Sequence, residues 1–103
     1  MALIIKAKQD KTITISGTSI ELTEVYGRIR FLGDFSGTSI EGEVATFANK
    51  DTFLEGKMLY TDVPIGSYKS ELEAGEAQSL DTAHKYAKLA YEQMGYEVII
   101  DLA

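Results

Sequence analysis

The hexapeptide SGTSIE occurs twice in this chain of 103 residues, at 16–21 and at 36–41, with a spacing of twenty residues. The identity ends at both borders of each copy, so the chain carries no duplicated unit of the solenoid or propeller kind. Each copy lies between runs of β-prone residues, and its glycine and hydroxyl side chains are typical of tight turns. The repeat therefore predicts two β-hairpins.

The second copy predicts a hairpin of about 26–32 with 39–46, closed by the segment GDFSGT. Folding the chain back in the middle of this segment pairs two arginines with two glutamates on one face. Opposite charges that face each other across strands contribute about 0.2–1 kcal/mol each. The predicted partners are Arg30 with Glu41, Arg28 with Glu43, and Phe31 with Ile40.

The first copy predicts a shorter hairpin, in which Ile13 faces Ile20 and Thr12 faces Glu21. A phosphate-binding loop is the functional alternative for both glycine turns. Neither copy precedes a helix-start pattern, and neither has the glycine spacing or the following lysine that such loops use. We therefore interpret both copies as structural turns.

Several other segments predict short elements. Strands are expected at 2–8, 57–63, 67–72 and 96–102. The first has Leu3, Ile5 and Ala7 on one face, and the third is expected to pair back with the second across the corner at Pro64. Asn49 or Asp51 caps a single helical turn that ends at Gly56.

The clearest helical pattern begins after Ser79, a favourable N-cap, and ends at Gly95. Its apolar stripe consists of Leu80, Ala83, Ala87, Ala90, Tyr91 and Met94. Together these elements predict an α+β fold: a largely antiparallel sheet built from hairpins, one C-terminal helix packed on it, and a final short strand. No linker or shift in composition divides the chain, so residues 1–103 predict a single domain.

The composition argues against several classes of function. The formal net charge is −6 and the basic residues are scattered, so a nucleic-acid partner is not expected. The absence of cysteine rules out disulfides and thiolate zinc sites. The apolar run at 2–5 is too short for a signal peptide, and no run has membrane-spanning length. We expect synthesis in the cytoplasm, no membrane partner and no cofactor.

Candidate catalytic groups are few. His84 is the only histidine, with Asp81 one turn before it on the helix. No nucleophile motif accompanies the pair, so we interpret His84 as a surface residue with a local contact. An enzyme that uses converged carboxylates with His84 is the alternative, and it predicts a pocket containing that residue. A cluster of carboxylates precedes the helix without calcium-loop spacing and is interpreted as a solvated acidic face: Glu71, Glu73, Glu76 and Asp81.

The chain contains six tyrosines and no tryptophan. Tyrosine is favoured at protein–protein interfaces because it combines a large apolar ring with a polar end. Tyr91 is expected in the core. The alternative is that several of the tyrosines simply border the core. The candidate partner-binding residues are Tyr26, Tyr60, Tyr68, Tyr86 and Tyr96.

Three motifs in the middle third of the chain resemble small structural, virion-associated proteins of tailed bacteriophages and prophages. They are a Tyr-x-Arg-x-Arg strand (Tyr26, Arg28, Arg30), a Lys-Asp-x-Phe-x-x-Gly turn (Lys50, Asp51, Phe53, Gly56) and a Thr-Asp-x-Pro corner (Thr61, Asp62, Pro64). The resemblance implies a virion or virion-assembly component with no catalytic residues. If the chain is phage-derived, its expected location is the virion.

The first functional hypothesis is a non-enzymatic structural or assembly protein that binds copies of itself or larger protein partners. The alternative is a small acidic inhibitor or adaptor that binds a basic surface on a partner protein. The first predicts an oligomer or a larger assembly. The second predicts a monomer whose binding weakens steeply with salt.

Overall fold

The computed structural model describes residues 1–63 and 67–102, and it confirms the α+β fold. The predicted corner at Pro64 lies outside the described residues. The elements are β1 (Ala2–Lys6), β2 (Ile13–Thr14), β3 (Glu21–Leu22), β4 (Glu24–Gly33), β5 (Ser39–Phe47), α1 (Lys50–Leu54), β6 (Ser67–Glu71), α2 (Leu80–Gln93) and β7 (Glu97–Asp101).

Five strands form one antiparallel sheet in the order β6-β5-β4-β1-β7, and β2 pairs with β3 in a separate two-stranded sheet. Strand β1 lies inside the large sheet, because Leu3 is opposite Gly27 of β4 on one side and Ile100 of β7 on the other. The two edges of the described sheet are therefore β6 and β7.

Helix α2 covers one face of the sheet. It begins after the N-cap Ser79 and ends before Gly95, as predicted. The middle of the predicted stripe is buried, but Leu80 and Met94 are exposed because they lie at the two ends of the helix. The main core combines the helix with apolar residues of β1, β4, β5 and β7: Leu3, Ile5, Val25, Val44, Val98, Ala87 and Tyr91.

The short helix α1 covers part of the opposite face. Asn49 is its N-cap and accepts a hydrogen bond from the Thr52 amide, which confirms the predicted helical turn. No residue of α1 is fully buried, and Phe53 anchors the helix. Its ring packs edge-on against Phe47, with 5.1 Å between ring centroids, and the Arg28 guanidinium lies 4.3 Å from its centroid.

The β4–β5 hairpin lies where it was predicted, but the predicted register is wrong by two residues. Arg30 is opposite Glu43, and the two side chains form an ion pair of 2.5 Å. Arg28 is opposite Ala45 and not Glu43. A shift of two residues leaves every side chain on its expected face, so the alternation of apolar and polar residues did not reveal the error.

The two SGTSIE copies form turns, as predicted, but the hexapeptide takes a different position in each turn. In the first, the Thr18 amide donates to the Ile15 carbonyl, so Gly17 is the third residue of the turn. In the second, the Gly37 amide donates to the Asp34 carbonyl, so Gly37 is the fourth. Both glycines have positive φ, 77° and 72°. The position of the hexapeptide relative to the turn therefore differs by one residue between the two copies.

The first hairpin also differs from its predicted register. Ile13 is opposite Leu22, and Thr14 is opposite Glu21. The predicted partner Ile20 instead accepts a hydrogen bond from the Ile15 amide. The turn is therefore centred one residue later than expected.

The predicted strand at 57–63 is wrong. This segment divides its backbone hydrogen bonds between two neighbours and forms no ladder: the Leu59 amide donates to the Thr46 carbonyl, and the Asp62 amide donates to the Thr14 carbonyl. Its one bridge pairs Thr61 with Ile15. The predicted strand at 67–72 is present as β6, but its partner is β5 and not 57–63.

Candidate functional site

The β4–β5 turn is organised around the Asp34 carboxylate, which accepts hydrogen bonds from four neighbouring residues. Its Oδ1 atom accepts from the amides of Thr38 and Ser39, at 2.9 and 3.2 Å, and from the Gln78 side chain at 3.0 Å. Its Oδ2 atom accepts from the hydroxyls of Ser36 and Thr38, at 2.7 and 3.0 Å. The second copy of the hexapeptide is thus wrapped around one carboxylate.

These donors favour the ionised form of the carboxyl group. The Ser36 hydroxyl has the largest effect, and together with the Ser39 and Thr38 donors it holds the pKa of Asp34 well below its usual range. At neutral pH the carboxylate is therefore fully available as an acceptor. We expect the backbone of this turn to be held in one conformation.

Phe35 projects from this turn into solvent. Its side chain is fully exposed, and the nearby Leu32 on β4 is 71% exposed. A single exposed apolar side chain is ordinary on a protein surface. Here, however, the exposed phenyl group is carried by a turn whose conformation is fixed by Asp34, which limits the ordering cost when the ring is buried against a partner.

A shallow groove of about 270 Å³ lies next to the turn, across β4 and β5. Its lining residues are Arg30, Phe31, Leu32, Glu41, Gly42 and Glu43. Its charged groups are exposed and paired, Arg30 with Glu43 and Glu41 with Lys69. The groove and Phe35 together form the surface that we call the turn end.

The turn end is acidic. Its groove is lined by two glutamates and one arginine, and Asp34 lies in the adjoining turn. The segment 69–85, which Gln78 attaches to Asp34, has four further acidic residues and two basic ones. Glu76 is held in place by Lys85 at 2.8 Å, by the Tyr86 hydroxyl and by the Glu73 amide at 2.7 Å. Lys85 has the largest effect among these contacts, which lower the pKa of Glu76 to about 2.

The predicted tyrosines do not form one surface. Tyr26 is buried beneath Phe53, with 3% exposure, which is incompatible with a surface contact. Tyr60 is 57% exposed. The other three have contacts within the chain: Tyr68 donates a hydrogen bond to the Ala83 carbonyl, Tyr86 to Glu76, and the Tyr96 ring packs against Tyr91. The alternative that several tyrosines border the core fits these positions better.

His84 is not the surface residue that was predicted. It is 1% exposed, because it lies on the side of α2 that faces the sheet. Its local contact is a 2.7 Å hydrogen bond between Nδ1 and the Leu80 carbonyl, and not one with Asp81. Because a carbonyl only accepts, Nδ1 carries the proton. Among the described atoms, its buried Nε2 has no hydrogen-bond partner.

Within residues 1–63 and 67–102, no group of three or more His, Asp or Glu residues is arranged to hold a metal ion. The two described grooves are lined by other residues than His84. The carboxylates that precede α2 are exposed, except for the partly buried Glu76. This arrangement fits a solvated acidic face.

Phe35 was not among the sequence-based candidates. The signal was present in the segment Asp-Phe-Ser-Gly, since aspartate is favoured at the first position of a common tight turn and glycine at the fourth. With the turn in that frame, the phenylalanine falls at the second position, where its side chain points away from the strands. The groups that fix the turn include Gln78, which is 44 residues away in sequence.

Comparison of the chain with protein-family models, with curated proteins and with solved structures gave no match. No helix within the described residues has the length and apolar character needed to cross a membrane.

Proposed function

We propose that this chain is a non-enzymatic structural or assembly protein that acts by associating with copies of itself, with the turn end as one of its contact surfaces. The observation that carries this proposal is the fully exposed phenyl group on a turn fixed by a carboxylate. A place in a phage particle stays a prediction from the resemblance.

The energetics support a contact at Phe35. Burying a phenylalanine side chain is worth about 1.5–3 kcal/mol. Interfaces draw most of their affinity from a few such anchors, surrounded by contacts that exclude water. Leu32 and the groove beside it offer additional surface to a partner. A turn with a fixed backbone loses little conformational entropy on binding.

Sedimentation velocity from low-micromolar to millimolar protein concentration tests the proposal. We expect the wild-type chain to form oligomers and Phe35→Ala to shift it to monomers. Ile20→Ala is the matched control, since Ile20 is an exposed apolar residue of the other SGTSIE copy. A wild-type chain that is monomeric at every concentration would overturn the proposal.

The second candidate is the acidic adaptor, and the excess of acidic residues at the turn end favours it. This candidate requires a monomer that binds a basic protein surface, with affinity that falls steeply as salt increases. Charge reversal at Glu41 and Glu43 would then weaken binding, whereas Phe35→Ala would have little effect. The relative effects of these substitutions separate the two candidates.

A further inference from the structure

A second groove, of about 280 Å³, lies at the end of the molecule opposite to Phe35. Its lining residues are Ala7, Lys8, Lys11, Thr12, Asp62, Met94, Gly95 and Tyr96. We call this groove the far pocket. Ala7 follows the end of β1 and Tyr96 precedes β7, at the level where β4 begins. Strand β4 has ten residues, so roughly 30 Å separates this level from the turn.

The far pocket carries groups that bind aromatic rings. The Met94 side chain is 49% exposed, and thioethers make favourable contacts with aromatic rings. Tyr96 offers a ring of its own, which packs edge-on against Tyr91 at 6.2 Å. Lys8 and Lys11 are exposed and meet in a backbone turn closed by a 2.8 Å hydrogen bond, so two ammonium groups stand at the rim.

The charge of the far pocket is opposite to that of the turn end. Asp62 is the one carboxylate among its lining residues, and its Oδ1 atom already accepts a hydrogen bond from the Thr14 amide at 3.0 Å. Among the lining residues, two lysines stand against this one aspartate, whereas the exposed Asp10 of the same turn does not line the pocket. The groove of the turn end has the opposite balance among its lining residues, with two glutamates and one arginine. The two linings are therefore complementary in charge.

We propose that the turn end of one copy binds the far pocket of a second copy, with Phe35 inserted between Met94 and Tyr96. The occupant of the pocket is thus the chain itself, and this inference rests on the proposed function. Cavities of roughly 150 Å³ hold a benzene molecule, so the far pocket has room for a phenyl group. The acidic residues around Phe35 would then face the lysines at the rim.

This contact is heterologous, since it joins two different surfaces. Contacts of this kind build a ring where the rotation closes and an open filament where it does not. At 0.1 M salt, charges further apart than about 10 Å are largely screened. The long dimension of the molecule is 45 Å, so the charges at the contact dominate the interaction. We therefore expect association to weaken as salt increases.

Mixing two complementary variants tests the proposal by sedimentation velocity. Phe35→Ala keeps the far pocket intact, and the double variant Lys8→Glu/Lys11→Glu keeps the turn end intact. All three residues are exposed, and circular dichroism checks that both variants fold. We expect each variant alone to associate at least tenfold more weakly than wild type, about the effect of losing one anchor. We expect their mixture to form a one-to-one dimer and nothing larger.

Met94→Ala provides a second pocket variant without a change of charge. It should associate weakly alone and, because its own Phe35 is intact, form the same one-to-one dimer with Phe35→Ala. Self-association of the lysine variant at wild-type strength would indicate a contact of turn end with turn end and would overturn the inference alone. So would a mixture that stays monomeric while wild type associates. A monomeric wild type would overturn the proposed function as well.

Discussion

At the scale of single residues, Asp34 determines the shape of the turn end. Its carboxylate accepts hydrogen bonds from the amides of Thr38 and Ser39, which lie beyond the last β4–β5 pair, Gly33 with Ile40. The same carboxylate binds Gln78, just before α2, and so connects the hairpin to the segment that begins the helix. One side chain thereby fixes both the turn and the position of a distant loop.

Asp34→Asn should lower the free energy of unfolding at neutral pH and flatten its dependence on pH. The folded state lowers the pKa of Asp34, so this stabilisation is present above the unfolded pKa of about 3.9 and is lost as the pH falls below it. Urea unfolding between neutral pH and strong acid measures the effect. Asp10→Asn, an exposed aspartate outside the turn, serves as the control. Parallel pH profiles for wild type and Asp34→Asn would contradict the prediction.

At the scale of elements, the sequence predicted where strands and helices lie better than how they pair. The sequence predicted the helix caps, Asn49 and Ser79, and the glycines that end the helices. Each of these residues contacts residues close to it in the chain. The β4–β5 register could not be predicted in this way, because two registers that differ by two residues bury the same face. The pairing of 67–72 with β5 depends on contacts across the sheet that no local pattern encodes.

The candidate site was less predictable than the fold. The five tyrosines were chosen by residue type, whereas their burial depends on tertiary packing, as Tyr26 beneath Phe53 shows. His84 was placed on the surface because it lies beside the expected stripe, yet the helix turns that side to the sheet. Phe35 could be recognised as a candidate only from the structure, in which the turn places its side chain in solvent.

A double-mutant cycle tests the register. Replacing Arg30 and Glu43 by alanine, singly and together, should give a coupling energy of about 0.2–1 kcal/mol, small because both side chains are largely exposed. The cycle for Arg28 with Glu43, the predicted but incorrect pair, should give none within error. Chemical denaturation measures all the free energies of unfolding. Coupling in the second cycle and none in the first would favour the alternative register.

Tyr68 links the edge strand β6 to α2, since its hydroxyl donates to the Ala83 carbonyl at 2.6 Å. Tyr68→Phe should lower the free energy of unfolding by about 0.5–1.5 kcal/mol. Burial, with a smaller contribution from Tyr91, raises the pKa of Tyr68 to about 12. Its contribution is thus present below the unfolded pKa of about 10 and is lost as the pH rises from there to the folded value.

Tyr60→Phe is the matched control for that substitution, because the Tyr60 side chain is largely exposed. Unfolding in urea at neutral pH and near pH 11 compares the two variants with wild type. Equal stability of Tyr68→Phe and Tyr60→Phe at neutral pH would show that the hydroxyl contact with α2 contributes little.

At the scale of the whole molecule, the two faces of the sheet are covered unequally. Helix α2 has 14 residues and buries four of them, whereas α1 has five residues and buries none. The face beneath α2 therefore carries most of the core. The smaller cluster under α1 contains three buried residues, Ala2, Tyr26 and Phe47.

Hydrogen exchange should reveal this difference. We expect amides of α1 to exchange faster than those of the middle of α2, and the central strands β4 and β1 to exchange most slowly, because local opening follows the amount of buried contact. Exchange followed by NMR at several denaturant concentrations measures the opening free energies. Phe53→Ala should accelerate exchange in α1 and leave α2 unchanged. Equal protection of the two helices would contradict this view of the fold.

The one-position difference between the two SGTSIE turns has a consequence for how such a protein can evolve. The second turn has Asp34 where the first has Thr14, so a residue outside the shared hexapeptide determines where the turn forms. Replacing Thr14 by aspartate would allow the first hairpin to form its turn one residue earlier. Its strand pairing would then shift by two residues, and each side chain would stay on the same face. A single point mutation could thus give a new strand alignment in which the buried side chains stay on the buried face.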